Sequence, residues 1–339
     1  METKKIAVSP HGIEVYELSN DKGMRVQVLT YGARLFRLYV PNRQGEWVDV
    51  VAGYETPDEF EGPNPYFNAI IGRTLNRVGN SRFVLNGKEY WLNANDGAHS
   101  LHGGQMGFDR RRWQALFAGD GKLMLGYHSP DGEERYPGNL DVTVTYRVDN
   151  DNALHIDYAA VCDADTVCNL TNHAYFHLGG RFDTIRDHVV WVNADRAITV
   201  NDELIADGGI LDVKGTPFDF GTPKALGRDI DEQHPLLKAG WGGYDIGYIL
   251  RDGAPAATAY DPEGGIKMTV YTDRPCLQLY SGNMLDGSNV GKHVYRYQSA
   301  FCMETQGYPN ACNVPDFPSN ILRAGQWYRQ HTAYRFSVE

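Results

Sequence analysis

The chain has 339 residues, 42% of them hydrophobic and 22% charged, which is enough apolar material for a large packed core and suits a soluble protein. With 43 Asp+Glu against 32 Lys+Arg the net charge is -11, and this argues against a surface for nucleic acid or anionic membrane. No apolar run approaches the roughly 18 residues of a membrane span. The start, "METKKIAVSP", has no apolar signal region either, so a cytoplasmic location is expected.

In chain order, "TPDEFEG" reads as a single capped turn. "SRFVLNGKEYWL" is a hairpin in which Asn86-Gly87 supplies the positive-φ turn between two apolar-rich arms. "LDVTVTYRVDNDNALHIDYAA" is a second hairpin. Val142, Val144, Tyr146 and Val148 alternate with polar residues, then Leu154, Ile156 and Tyr158 do the same. After a strand-like run, "TNHAYFHLGG" (171–180) packs two histidines and two aromatics beside a Gly-Gly turn. "PKALGRDI" is short and glycine-broken, "ATAYDPEGGIKMTVYTD" turns at Pro262–Gly265, and the chain closes on the alternating "QWYRQHTAYRFSVE". Many strands, few helices and no linker predict an all-β fold, a large antiparallel sandwich or barrel; one β-sandwich domain over 1–339 fits best. Cys162, Cys168, Cys276, Cys302 and Cys312 are odd in number and form no C-x-x-C pair, so free, mostly buried thiols are expected.

Polar, ionisable and turn residues concentrate in a few segments. His173 and His177 are four apart, which on a helix would offer two ligands to a metal; on a strand the same even spacing also shares a face. The β context disfavours the helical reading and puts His173 at a strand end or in the loop beyond. His177 reads better as a satisfied, partly buried histidine. His99 and His102 are three apart, which suits no metal pair; a loop histidine fixed beside Gly103-Gly104 is the better reading. Taken singly, Glu304 reads as a solvated strand end, Asn76-Arg77 as a surface pair and Asp245 as a turn cap. Tyr244 and Tyr248, which flank Asp245, would equally suit the apolar face of a sugar ring.

Together the segments resemble the aldose 1-epimerase (galactose mutarotase) family, in the family's order and over nearly the whole chain. "GRTLNRVGNSRFVLNGKEYWLNAND" is similar to its N-R segment and following hairpin, and "SLHGGQMGFDRRRW" to its L-H-G-G signature. "TNHAYFHLGG", "TDRPCLQLYSGNMLDG" and "METQGYPNACN" resemble its N-H-x-Y-F-N-L, Q-x-Y-T-G-N and E-T-Q segments. The resemblance implies two large curved antiparallel sheets packed as a galactose mutarotase-like supersandwich, with a sugar cleft on one of them. It implies interconversion of the α and β anomers of free hexoses, with no metal, nucleotide or redox cofactor.

Carried over residue by residue, the resemblance makes Glu304 the base and His173 the acid, with His102 beside the ring oxygen. Substrate contacts fall on Asn76, Arg77, Asp245 and Gln278. Opening a cyclic aldose needs a base on the C1 hydroxyl and an acid on the ring oxygen, so His173 must be protonated near neutrality, which requires the site to raise its pKa. The chain departs from the family pattern at His177 and Asn310, and it lacks the histidine often found after Asp245. The alternatives are a catalytically silent sugar-binding sandwich, a glycosidase built on Asp245 and Glu304, and an epimerase of a related or phosphorylated sugar. The last would draw on Arg110-Arg111-Arg112. A monosaccharide is the expected partner and a monomer or homodimer the expected assembly.

Overall fold

The computed structural model describes residues 1–339. Three antiparallel sheets dominate it. The largest has nine strands, running across the sheet from Gln114–Gly119 through Lys122–Ser129, Leu140–Val148, Ala153–Cys162, Trp327–Val338 and Ile266–Thr272. Ala257–Tyr260, Val189–Val192 and Lys224–Ala225 complete it. A six-stranded sheet is ordered Tyr175–Phe176, Phe301–Gln306, Cys276–Tyr280, Asp245–Leu250, Ala194–Val200 and Ala206–Asp212. The first five strands, Glu2–Val8 to Trp47–Asp49, form a third sheet in simple chain order. Two large sheets were expected. The third arises because the N-terminal strands are joined by short connections that pair each with the next.

Period-2 patterning decides which face each strand buries. In Leu140–Val148 the alternate residues Leu140, Val142, Val144, Tyr146 and Val148 are buried, and in the paired Ala153–Cys162 strand so are Leu154, Ile156, Tyr158 and Ala160. These side chains join one core cluster of 57 residues that also takes Val26 and Leu35 from the five-stranded sheet and Leu277 and Met303 from the six-stranded one. The sheets are therefore layers over a shared core, as a sandwich requires. A polar stitch crosses the layers: the Tyr334 hydroxyl donates to the Met303 carbonyl at 3.0 Å.

The hairpin at Asn86-Gly87 forms as read, with Leu85 opposite Lys88 and φ of 53° and 77° at the two turn residues. The pairs 140–148 with 153–162 and 257–260 with 266–272 also form, and "TPDEFEG" makes one 3₁₀ turn over Asp58–Glu61. Glu59 caps that turn by accepting from the Thr56 amide at 2.7 Å. The only α-helix is a five-residue piece, Pro235–Ala239. No helix is long and apolar enough to cross a membrane. All five cysteines are free, and all but the half-buried Cys312 are buried.

Candidate active site

The six-stranded sheet gives its two faces to different tasks. On its three adjacent strands Ile246, Tyr248, Leu277, Leu279, Phe301 and Met303 point into the core. The alternate positions carry Asp245, Gln278, Tyr280, Cys302 and Glu304 on the other face. Register puts Gln278 opposite Glu304 and Gly247 opposite Gln278. Asp245 and Tyr280 are also paired, so a polar patch is assembled across three strands. Over this patch lies a cavity of about 180 Å³ lined by Asn76, Arg77, His102, His173, Asp245, Gln278 and Glu304. Pro65, Tyr66, Leu101, Tyr175, Tyr280 and Met284 complete its walls. All seven residues singled out in the sequence thus meet in one place. A wider surface hollow of about 610 Å³ near Asp231–Pro235 holds one histidine, His234, whose Nδ1 is used by the Leu236 amide; no acid–base pair converges there.

His173 sits between the short strands Thr171–Asn172 and Tyr175–Phe176, as the β context predicted. Its backbone is clamped on both sides. The His173 amide donates to the Ala69 carbonyl and its carbonyl accepts from the Asn68 amide, both at 2.9 Å. Asn68 also accepts the Tyr175 amide through Oδ1 at 3.0 Å. The ring stacks on Tyr175, with centroids 5.0 Å apart and planes 18° apart, and its Nε2 lies 3.7 Å from Glu304 Oε1. Cys302 Sγ lies 3.6 Å from Nδ1, on the far side of the imidazole.

Burial sets the charges. It pushes Glu304 well above the usual carboxylate range, and nearby Asp245 adds to this. Burial likewise lowers His173 to about 4. The expectation that the site raises this histidine is therefore reversed: no countercharge in the site outweighs the loss of water around an imidazolium. Burial thus disfavours the charged form of both groups, and a proton shared between them is favoured on Glu304 over His173.

His102 follows Asn76 in space rather than in sequence. The Asn76 amide donates to His102 Nδ1 at 3.2 Å, so the ring's proton is on Nε2. Burial, then the neighbouring His173 and Arg77, hold its pKa well below the ordinary value. His102 is a neutral donor. Gly103 must be glycine here: its φ is +94° and a Cβ would lie 1.8 Å from the Gly72 carbonyl oxygen. Asn76, at φ 57°, uses its own Oδ1 to accept the Arg77 amide at 2.7 Å and keeps its side-chain NH₂ for the cleft. Arg77 is buried and aimed by Asp96, which accepts from Nε at 2.7 Å. On the opposite wall Gln306 donates to Gln278 Oε1 at 3.0 Å, and Gln278 donates to Asp245 Oδ1 at 2.6 Å. This amide relay fixes the Asp245 carboxylate. Burial raises its pKa while Arg77 and the Gln278 bond pull it down.

Several readings of single residues are corrected. Tyr244 and Tyr248 do not face a sugar: they are fully buried and donate to the Pro217 and Phe218 carbonyls, because strand alternation turns them away from Asp245. The cleft aromatics are Tyr66, Tyr175 and Tyr280 instead. Glu304 is buried, not a solvated strand end. His177 is fully buried and lies off the cleft, its Nε2 at 3.0 Å from Asp183 Oδ1 and 3.1 Å from the Thr184 carbonyl. Its Nδ1 accepts the Gly179 amide at 3.2 Å, so both ring nitrogens are satisfied and the pair with His173 offers no shared metal site. His99 is pinned in the same manner by the Asn80 amide at 3.0 Å. Asn310 ties loops together, accepting from the Gly79 amide and donating to the Ala206 carbonyl. Arg110, Arg111 and Arg112 pair with Asp109, Glu133 and Glu61, and none lines the cavity. Asn68, Asp96, Tyr66 and Gln306 escaped the sequence reading. Asp96 and Gln306 were open to discovery, since they lie in "NAND" next to the family-like hairpin and in the E-T-Q segment; Asn68 and Tyr66 carry no local signal.

The sequence profile of the aldose 1-epimerase family matches residues 14–335. Galactose mutarotase of Sus scrofa is 40% identical over 332 residues, covering 96% of this chain and 94% of the relative. Aldose 1-epimerase of Escherichia coli (strain K12) is 33% identical over 347 residues, covering 100% of this chain and 99% of the relative. Among solved structures, the GalM/aldose epimerase homologue from C. elegans superimposes with a TM-score of 0.88 at 32% identity, covering 95% of this chain and 98% of that one. With the profile spanning every residue that lines the cleft, this chain belongs to the aldose 1-epimerase family.

Proposed function

We propose that the protein is an aldose 1-epimerase that interconverts the α and β anomers of free hexoses such as galactose and glucose. The observation that carries this reading is the pairing of His173 and Glu304, 3.7 Å apart on the floor of a hexose-sized cleft. Mutarotation consumes no net proton. In the ring-opening step Glu304, ionised, takes the C1 hydroxyl proton while His173, protonated, gives its own to the ring oxygen; the bond between C1 and the ring oxygen breaks and an aldehyde forms. Rotation about C1–C2 presents the other carbonyl face, and closure returns both protons by the reverse transfers.

The raised pKa of Glu304 and the lowered pKa of His173 favour the proton arrangement that ring opening produces. A bound cyclic sugar favours the other arrangement, because its C1 hydroxyl donates to a carboxylate and its ring oxygen accepts from an imidazolium. His102, a neutral donor, assists at the ring oxygen. Arg77, Asn76 and Asp245 hold the ring hydroxyls, so that binding becomes alignment.

Residues 1–339 act as one domain in this reading; the shared core running from Tyr16 to Phe336 supports it. A cytoplasmic location, supported by the free cysteines, and a monomer or homodimer complete the proposal. Polarimetry of freshly dissolved α-D-glucose and α-D-galactose tests it. The optical rotation should reach equilibrium much faster with enzyme than without, and an unchanged rate for both sugars would overturn the assignment.

A further inference from the structure

We infer that the same cleft contains an inhibitory site for a soft divalent cation, formed by His173, Cys302 and Glu304; this inference rests on the mutarotase reading. A nitrogen of His173, the Cys302 sulphur and a Glu304 oxygen all lie within 4.8 Å of one another. Whichever ring nitrogen binds, one edge of the triangle is already short: Nδ1 lies 3.6 Å from Cys302 Sγ, and Nε2 lies 3.7 Å from Glu304 Oε1. Around a tetrahedral zinc ion, thiolate, imidazole and carboxylate donors sit about 3.5 Å apart, so a side-chain adjustment of roughly 1 Å closes the triangle.

Strand geometry makes the triangle possible. Cys302 and Glu304 are two apart on the Phe301–Gln306 strand and therefore project from the same face, and His173 lies over both. The donor set of one sulphur, one imidazole and one carboxylate matches zinc and cadmium rather than magnesium or calcium. The fourth position opens toward the cleft that His173 and Glu304 line, where water or a sugar hydroxyl completes the shell. On binding, the thiol proton and any proton on Glu304 leave to solvent, and the thiolate and carboxylate become ligands. The ion occupies the base and the acid together, so it excludes the sugar and stops turnover. Cys276, Cys168 and Cys162 have no such partners near them, and only Cys302 is placed to act in this way.

The test is CdCl₂ added to full-length protein purified in EDTA and then freed of it. The expected result is one ion bound per chain, an ultraviolet absorption from cadmium–thiolate charge transfer, and inhibition that galactose relieves, so that apparent KM rises while kcat holds. In Cys302→Ser and Cys302→Ala the absorption should vanish and the inhibitory concentration should rise at least tenfold, each read as a ratio with and without Cd²⁺ so that the basal rate does not matter. Cys312→Ser, the control at the half-buried thiol, should behave as the parent. Inhibition of equal strength in both Cys302 variants, or binding without thiolate absorption, would overturn the site. An enzyme that hastens mutarotation but is indifferent to Cd²⁺ refutes only this inference, whereas a metal-free enzyme that fails to hasten it refutes the functional reading.

Discussion

Glu304 carries a carboxyl group into a place that disfavours its charge, and the protein tolerates this because the chemistry needs a base that readily takes a proton. Replacing it with glutamine keeps the size and removes the base. Glu304→Gln should lower kcat by at least the 10²–10⁴-fold range of a single acid–base group, while the melting temperature stays level or rises, since a buried ionisable group has been removed. Turnover within a few-fold of the parent, measured by polarimetry, would rule Glu304 out as the base. The pair also fixes a pH window. As pH falls through about 4, His173 gains a second proton for the pair and no base remains. As pH rises through the raised pKa of Glu304, the shared proton leaves and no acid remains. The rate should therefore form a plateau with its acid limb near pH 4 and its alkaline limb above the ordinary carboxylate range. An acid limb at about 6.5, the value of an unperturbed imidazole, would show that His173 is not desolvated in the manner described.

The elements that hold these residues differ in how openly the sequence declares them. Hairpins such as 82–91 and 140–162 announce themselves, because turn residues and alternation act over a few neighbours. The cleft strand Phe301–Gln306 does not: all six of its residues are buried, so no alternation of polarity marks which face carries Glu304. That is why Glu304 alone reads as a strand end, and why Tyr244 and Tyr248 looked as suitable for a sugar as the residue between them. Gly103 shows the element scale at its most exacting. The turn that presents His102 needs a positive φ and leaves no room for a Cβ against the Gly72 carbonyl. Gly103→Ala should cost about 3 kcal/mol or more of stability and move His102 off its Asn76 contact. Urea unfolding together with polarimetry checks this; a variant with unchanged midpoint and unchanged turnover would show that the turn relaxes freely.

Across the whole molecule the residues of the proposed site come from distant parts of the chain. Asn76 and His102 stand in the first third, His173 in the middle and Glu304 near the end, and no spacing rule joins them. The motifs made them legible one by one through family resemblance, and the resemblance carried the chemistry. The supports stayed hidden: Asn68 holds the His173 segment and Asp96 aims Arg77 through contacts that only folding creates. The reverse also holds, since a residue beside the site in sequence can belong wholly to the scaffold. His177 is four residues from His173, yet its ring points to Asp183, Thr184 and Gly179 and packs edge-on against His188, with centroids 4.7 Å apart. His177→Asn removes a buried ring that bonds Asp183, the Thr184 carbonyl and the Gly179 amide, and leaves the cleft lining untouched. The variant should lose about 1–3 kcal/mol of stability, as expected when a buried ring and its hydrogen bonds are lost, while KM and kcat for galactose stay within about twofold of the parent. Exhaustive EDTA treatment should leave the parent's activity undiminished, because His173 and Glu304 move protons without a resident metal in the proposed mechanism. Activity lost on chelation and restored by added zinc would overturn that mechanism. A change of sugar preference in His177→Asn at unchanged stability would instead place its ring in the binding site, against the contacts seen here.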